Sequence, residues 1–222
     1  MNWIEGLHGR VIVGRRVESL AKGLAEFLPA AGSVLDVGAG DGKLAWRLQQ
    51  GRSELRFCGV DVLRREETLI DVIEYDGRTL PFGDRSFDAV VIVDVLHHAG
   101  DPRQLLIESA RVSRQRMIVK DHLCENGFDR KLLSFMDSIG NRRFGVASPG
   151  RYMSRHEWNE MFGALPFSLK GWIPRLHLYP WPLSAMFERN LHFVALLERS
   201  DEIEGPPPVH SRGQSPEKDE ET

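Results

Sequence analysis

Only two cysteines occur in 222 residues, Cys58 and Cys124, and neither lies in a CxxC pair or a Cys/His cluster. No zinc or redox motif is readable, so no metal is expected and both thiols are expected to be reduced and structural. Charge of one sign is also missing: 29 Lys and Arg against 32 Asp and Glu leave a net charge of −3. That removes the global attraction for phosphates on which nucleic-acid affinity rests, and nucleic acid is disfavoured as a partner. No run of about 18 apolar residues occurs, and the chain does not start with a basic segment followed by an apolar one. Membrane insertion is therefore not expected, and the cytoplasm is the simplest location. The length suits one α/β domain with a full core rather than two.

What is present is a regular alternation. From Val17 the apolar positions Leu20, Ala21, Leu24, Phe27 and Leu28 recur at helical spacing and stop at Pro29 and Gly32. Residues 33–37 form a short apolar run broken only by Asp36 and ended by glycines, which predicts a strand buried on both faces. A helix over 43–50, strands over 55–60 and 71–75, and the most strand-like segment, 87–93, continue the α/β pattern. Asp101 as N-cap, Pro102 as first helical residue and Gln104 in a capping-box position open a helix to Val112, and 117–120 is the next strand.

A further helix near 132–139 falls outside the alternation and predicts an insertion over about 123–165. Within it, 141–152 reads as a loop, and a second capping box, Ser154 with Glu157, opens a helix carrying Trp158, Met161 and Phe162 that reads as a lid. Segments 168–173 and 191–197 are expected to close the sheet as an antiparallel pair, separated by the aromatic, proline-rich stretch 178–187. The domain is expected over 1–199, followed by an acidic tail, 200–222, too poor in apolar residues to order.

The strongest motif is Val34-Leu35-Asp36-Val37-Gly38-Ala39-Gly40-Asp41-Gly42, a strand running through glycines straight into a helix. Glycine admits positive φ and lets backbone amides approach a ligand at the carboxyl end of the first strand. A nicotinamide fingerprint would need glycine at position 43, which is Lys43, so a dehydrogenase is disfavoured. Asp61 ends the second strand, where a carboxylate suits a ribose diol, and Asp76 ends the third, where it suits an adenine amino group.

This series resembles the class I S-adenosylmethionine-dependent methyltransferases. The segments Leu80-Pro81-Phe82-Gly83-Asp84-Arg85-Ser86-Phe87-Asp88-Ala89-Val90 and Asp94-Val95-Leu96-His97-His98 are similar to later motifs of the type 11 group. The resemblance covers roughly residues 17–122. It implies an α/β, Rossmann-like, seven-stranded, mostly parallel sheet with helices on both faces, S-adenosyl-L-methionine as cofactor, and a small-molecule methyl acceptor as partner. The implied cofactor residues are Asp36, Gly38, Ala39, Gly40, Gly42, Asp61, Val62, Asp76, Gly77, Asp94 and Val95. The group's Pro-Gly-Gly turn before the fifth strand is replaced here by Ser113-Arg114-Gln115-Arg116.

Methyl transfer from a sulfonium needs alignment above all, and a base only if the acceptor must lose a proton. His97 and His98 after the fourth strand, and Asp121 with His122 after the fifth, are the catalytic candidates, with His122 the preferred base. Each histidine could equally be a structural donor or a wall of the cofactor pocket. Tyr152, Trp158, Trp172, Tyr179 and Trp181 could line an acceptor pocket or belong to the core, and Arg142, Arg143, Arg151 and Arg155 could hold an anionic acceptor. Alternatives are a methyltransferase acting on protein or RNA, and a cofactor-binding regulatory protein without turnover.

Overall fold

A computed structural model describes residues 3–141, 150–176 and 190–200, and their side chains except 3–13 and 138–141. The chain runs α1 (Trp3–Ala25), β1 (Gly32–Val37), α2 (Lys43–Gln50), β2 (Leu55–Asp61), β3 (Val72–Glu74), β4 (Phe87–Val93), a 3-10 turn (Leu96–His98), α3 (Pro102–Val112), β5 (Ser113–His122), α4 (Gly127–Asn141), α5 (Arg155–Gly163), β6 (Phe167–Ile173) and β7 (His192–Arg199). The seven strands form one sheet in the order β3-β2-β1-β4-β5-β7-β6. The first five are parallel, and β7 pairs antiparallel with both β5 and β6.

Central strands of a parallel sheet are covered on both faces, and their residues divide between two cores. One face of the sheet packs Leu35, Val37, Val90 and Ile92 against Leu105 and Leu106 of α3 and Trp158 and Phe162 of α5. The other packs Val34, Ala89 and Val91 against Leu20 and Leu24 of α1 and Ala45 and Leu48 of α2. Because β1 is adjacent to both β2 and β4, the carboxyl ends of β1, β2 and β4 converge, with the chain leaving to opposite sides. This is the crevice in which open α/β sheets take ligands.

The predicted elements are found with three differences. Helix α1 begins at Trp3 rather than near Val17 and ends at Ala25; Gly6, Gly9 and Gly14 interrupt the apolar periodicity of its first half. The tetrapeptide that replaces the expected turn before the fifth strand is itself strand, since β5 starts at Ser113 and leaves α3 without a loop. Asp101 accepts from the Gln104 N–H as an N-cap should. The helix α5 is not a lid. Its capping box forms as predicted, but Trp158 is 0% exposed and Met161 and Phe162 are buried in the main core.

Replacing Trp158 with Ala is therefore expected to cost about 3–5 kcal/mol of stability, read as a lowered midpoint in urea unfolding. A change under about 1 kcal/mol would restore the lid. Both cysteines are free. No helix among the described residues is long and apolar enough to cross a membrane. The stretch 178–187, most of the loop 141–152 and the tail beyond 200 lie outside the described residues.

Candidate active site

At the carboxyl end of β1 the chain turns through three glycines in the left-handed region, Gly38 (φ 76°), Gly40 (φ 58°) and Gly42 (φ 74°), before α2 begins. A Cβ on Gly38 would overlap the Val95 side chain, whereas one on Gly40 would meet nothing within 4 Å. The first glycine permits close packing and the second opens the backbone to a cleft. That cleft, about 590 Å³, is bounded by the glycine loop, by Asp36, Val93 and Asp94 from the sheet, and by Arg16 from α1. A second cavity of about 570 Å³ continues past Val95 and is lined by Val62, Tyr75, Asp76, Gly77 and Gln104. His98 lines both.

Asp61 bonds to the loop that bounds the first cavity and precedes Val62, which lines the second. Its Oδ2 accepts from the Gly40 N–H at 2.8 Å and its Oδ1 from the Leu63 N–H at 3.0 Å. Each carboxylate oxygen retains acceptor capacity for a vicinal diol. Asp76 forms a turn in which Oδ1 accepts from the Arg78 and Thr79 N–H groups, both at 2.8 Å, and these backbone bonds hold its carboxyl below the usual range. Asp36 is 4% exposed, and burial, followed by the charge of Asp61, pushes its carboxyl up to about 7.

Nine of the eleven residues expected to meet the cofactor line these two cavities; Asp61 bonds to the glycine loop beside them and Gly42 lies in the turn behind. They differ in what they do there. Gly42 is a packing glycine, since a Cβ would press on Ile70. Asp94 sits at the top of β4 with φ 57°, a strained conformation for a residue with a Cβ. It is held by the Lys120 ammonium, by Arg16 at 2.6 Å and by its own N–H to the Lys120 carbonyl. Burial raises its carboxyl and the two cations outweigh that, leaving it well below the usual range.

The left-handed turn at Asp94 carries the chain back so that His97 stands over the end of β5. His97 Nδ1 lies 2.6 Å from Asp121 Oδ1, which as an ionised acceptor requires the imidazole to donate. The same carboxylate accepts from the N–H groups of Leu96 and His122. Burial disfavours the His97 imidazolium, but Asp121 prevails and raises its pKa. His122, 4% exposed, places Nδ1 3.2 Å from that of His97, and burial with Lys120 nearby lowers its pKa.

Three of the four catalytic candidates, His97, Asp121 and His122, therefore form one buried group, while His98 belongs to the cofactor crevice. Sequence reasoning missed Lys120, His192 and Asp137, and named Tyr152 only as a candidate for the acceptor pocket. Lys120 is fully buried and 3.3 Å from His192 Nδ1, and Tyr152 donates to Asp137 beside the His97 ring. Three ionisable residues ending an apolar strand, 120–122, were the available signal.

The aromatic set divides between the two alternatives open to it, acceptor pocket and core. Trp158 is core, and Trp172 stacks on Phe193 at 4.2 Å with Arg155 over its ring at 3.6 Å. Arg151 reaches the Gly100 carbonyl. Of the aromatic set, Tyr152 stands beside the histidines, 5.9 Å from His97 and 5.8 Å from His122 between ring centroids. Arg142, Arg143, Tyr179 and Trp181 lie outside the described residues.

A family model described as a methyltransferase domain matches residues 35–118. The uncharacterized methyltransferase YcgJ of Bacillus subtilis is 30% identical over 168 residues, which is 64% of this chain and 64% of that one. Demethylmenaquinone methyltransferase of Thermotoga maritima is 33% identical over 113 residues, 46% of this chain and 49% of that one. The chain spans less than two thirds of the length of the curated relatives it matches. A solved S-adenosylmethionine-dependent methyltransferase of Thermotoga maritima shares the fold with a TM-score of 0.65 over 87% of this chain and 95% of that one, at 21% identity.

Proposed function

We propose that this chain is a class I S-adenosylmethionine-dependent methyltransferase of the type 11 group and transfers a methyl group from S-adenosylmethionine to a small-molecule acceptor. One observation carries the reading: the open backbone of Gly40, the Asp61 carboxylate bonded to its N–H, and Asp76 one strand further out follow each other along a single crevice. A ligand with an amino-acid end, a ribose and an adenine meets a suitable group at each station.

When bound, S-adenosylmethionine supplies a methyl group already activated on its sulfonium. The chain has to hold and align. Asp61 would accept the ribose hydroxyls, Asp76 with Gly77 and Val62 would border the adenine, and Asp36 with Arg16 and Lys43 would face the amino-acid end. Val95 packs closely on Gly38, beside the cavity it lines. The acceptor's reacting atom belongs on the side of His97, Asp121 and His122, where the ends of β4 and β5 and the insertion come together.

Two observations favour a small acceptor. The arginines described in the expected basic groove, Arg151 and Arg155, are engaged by Gly100 and Trp172. Demethylmenaquinone, the acceptor named for one relative, is a small molecule.

Replacing His122 with Ala is expected to lower turnover about 10²-fold or more while leaving cofactor affinity unchanged, because His122 lines neither cavity of the crevice. The check is an acceptor screen with labelled methyl groups, run beside calorimetry of the cofactor complex. Equal turnover in the variant removes His122 from the chemistry.

A further inference from the structure

The buried cluster beyond the cofactor crevice contains two sets of three groups whose donor atoms lie within 4.8 Å of one another: Asp94, His122 and His192, and His97, His122 and Asp137. In the first a cation is already in place, because the Lys120 ammonium contacts Asp94 and stands 3.3 Å from His192 Nδ1. The second is built differently. His97 donates through Nδ1 to Asp121, which turns Nε2 towards Asp137 Oδ2 at 3.7 Å, too far for a hydrogen bond.

Each of the three is also held from behind. Asp121 fixes the His97 ring at 2.6 Å, the Tyr152 hydroxyl donates to Asp137, and the Trp158 indole donates to the His122 carbonyl at 3.0 Å. A carboxylate on the far nitrogen of an imidazole and a hydroxyl on a carboxylate are the outer partners that metal ligands carry. We propose that His97, through Nε2, together with His122 and Asp137, binds one divalent transition-metal ion of the zinc class.

Two imidazoles and one carboxylate match zinc and its neighbours, whereas magnesium and calcium take oxygen ligands. Bonds of about 2.0–2.2 Å hold tetrahedral ligand atoms roughly 3.4 Å apart, so the 3.7 Å gap needs to close by only a few tenths of an ångström. Three protein ligands leave a fourth position, as in catalytic rather than structural zinc sites. Resting on the methyltransferase reading, that position takes a hydroxyl or thiol of the acceptor, whose pKa the ion lowers so that its proton passes to solvent; the resulting oxygen or sulfur anion bonds to the methyl carbon as the sulfonium S–C bond breaks and its electron pair returns to sulfur. The insertion then has a chemical purpose, since α4 supplies Asp137. The sequence expectation of no metal arose because the ligands come from a turn, a strand and a helix and share no motif spacing.

The test titrates the chelator-treated full chain with Co2+, following its visible d–d absorption, and measures S-adenosylmethionine binding on the same sample by calorimetry. The expected result is one equivalent of Co2+, bound at least about tenfold more weakly by Asp137→Asn and His97→Gln and about tenfold more weakly by Tyr152→Phe, which keeps the ring and its packing. No stoichiometric binding, or equal affinity in all three variants, overturns the metal site. S-adenosylmethionine binding without Co2+ binding removes the ion and leaves the methyltransferase reading intact. Co2+ binding without S-adenosylmethionine binding supports the ion and overturns that reading.

Discussion

Substituting Gly40 with Val abolishes cofactor binding, a loss of at least about 100-fold in affinity, in a protein that remains folded. The expectation follows from two facts about one residue. The space in front of Gly40 is open, so a branched side chain projects into the volume the ligand needs rather than into the core. Its φ of 58° also strains any residue with a Cβ, at a cost of about 1–3 kcal/mol, enough to lower the melting temperature without unfolding the chain. Asp61→Ala produces the same loss by another route, deleting the diol acceptor and releasing the Gly40 N–H from its 2.8 Å bond. Calorimetry with S-adenosylmethionine and S-adenosylhomocysteine reads both variants. Unchanged affinity in the two together places the cofactor elsewhere.

Cofactor affinity rises with pH, about tenfold per unit below neutrality, and levels off above pH 7. Asp36 sets this. Burial and the charge of Asp61 push its carboxyl up to about 7, so below that pH the unliganded protein carries a proton there. The ammonium of the cofactor's amino-acid end favours the ionised form, and binding therefore releases the proton. The other charged groups along the cleft are Arg16, Asp41, Lys43, Arg65 and Asp94, and His98 also titrates there. Calorimetry in buffers of different ionisation enthalpy should register close to one proton released at pH 6, and Asp36→Asn should flatten the profile.

Stability changes in the opposite sense. The folded pKa lies above the unfolded value of about 3.9, so the contribution of Asp36 is fully present below pH 4 and is lost as pH rises to 7. Asp36→Asn therefore stabilises the free protein at pH 8, by up to about 4 kcal/mol, and has little effect at pH 4. An advantage over the parent that is no larger at pH 8 than at pH 4 shows that folding does not raise the Asp36 pKa.

The sheet and the cofactor crevice were legible because both are local in the chain. A buried parallel strand reads as an apolar run, the glycine turn follows at once, and Asp61 and Asp76 mark the next two strand ends. The histidine cluster was legible only in part. His97, Asp121 and His122 lie at strand ends and could be nominated, but their grouping depends on the left-handed turn at Asp94, which no periodicity announces. Asp137 and Tyr152 come from the insertion, where helical spacing gives the helix but not the face it turns to the sheet. The α5 error has a similar source. A capping box with Trp158, Met161 and Phe162 describes an amphipathic helix equally well whether its apolar side covers a ligand or the core.

The indole of Trp158 donates to the carbonyl of His122, so the helix carrying it and the strand bearing the catalytic candidate are one mechanical piece. Acceptor specificity is accordingly not modular in this protein. A chimera that exchanges residues 123–165 for the corresponding segment of a related enzyme removes the ring that fixes the end of β5, and disturbs the recipient's reaction centre along with its pocket. Redirecting the enzyme to a new acceptor has to carry the last turn of β5 with the insertion, or be confined to side chains that leave Trp158 in place.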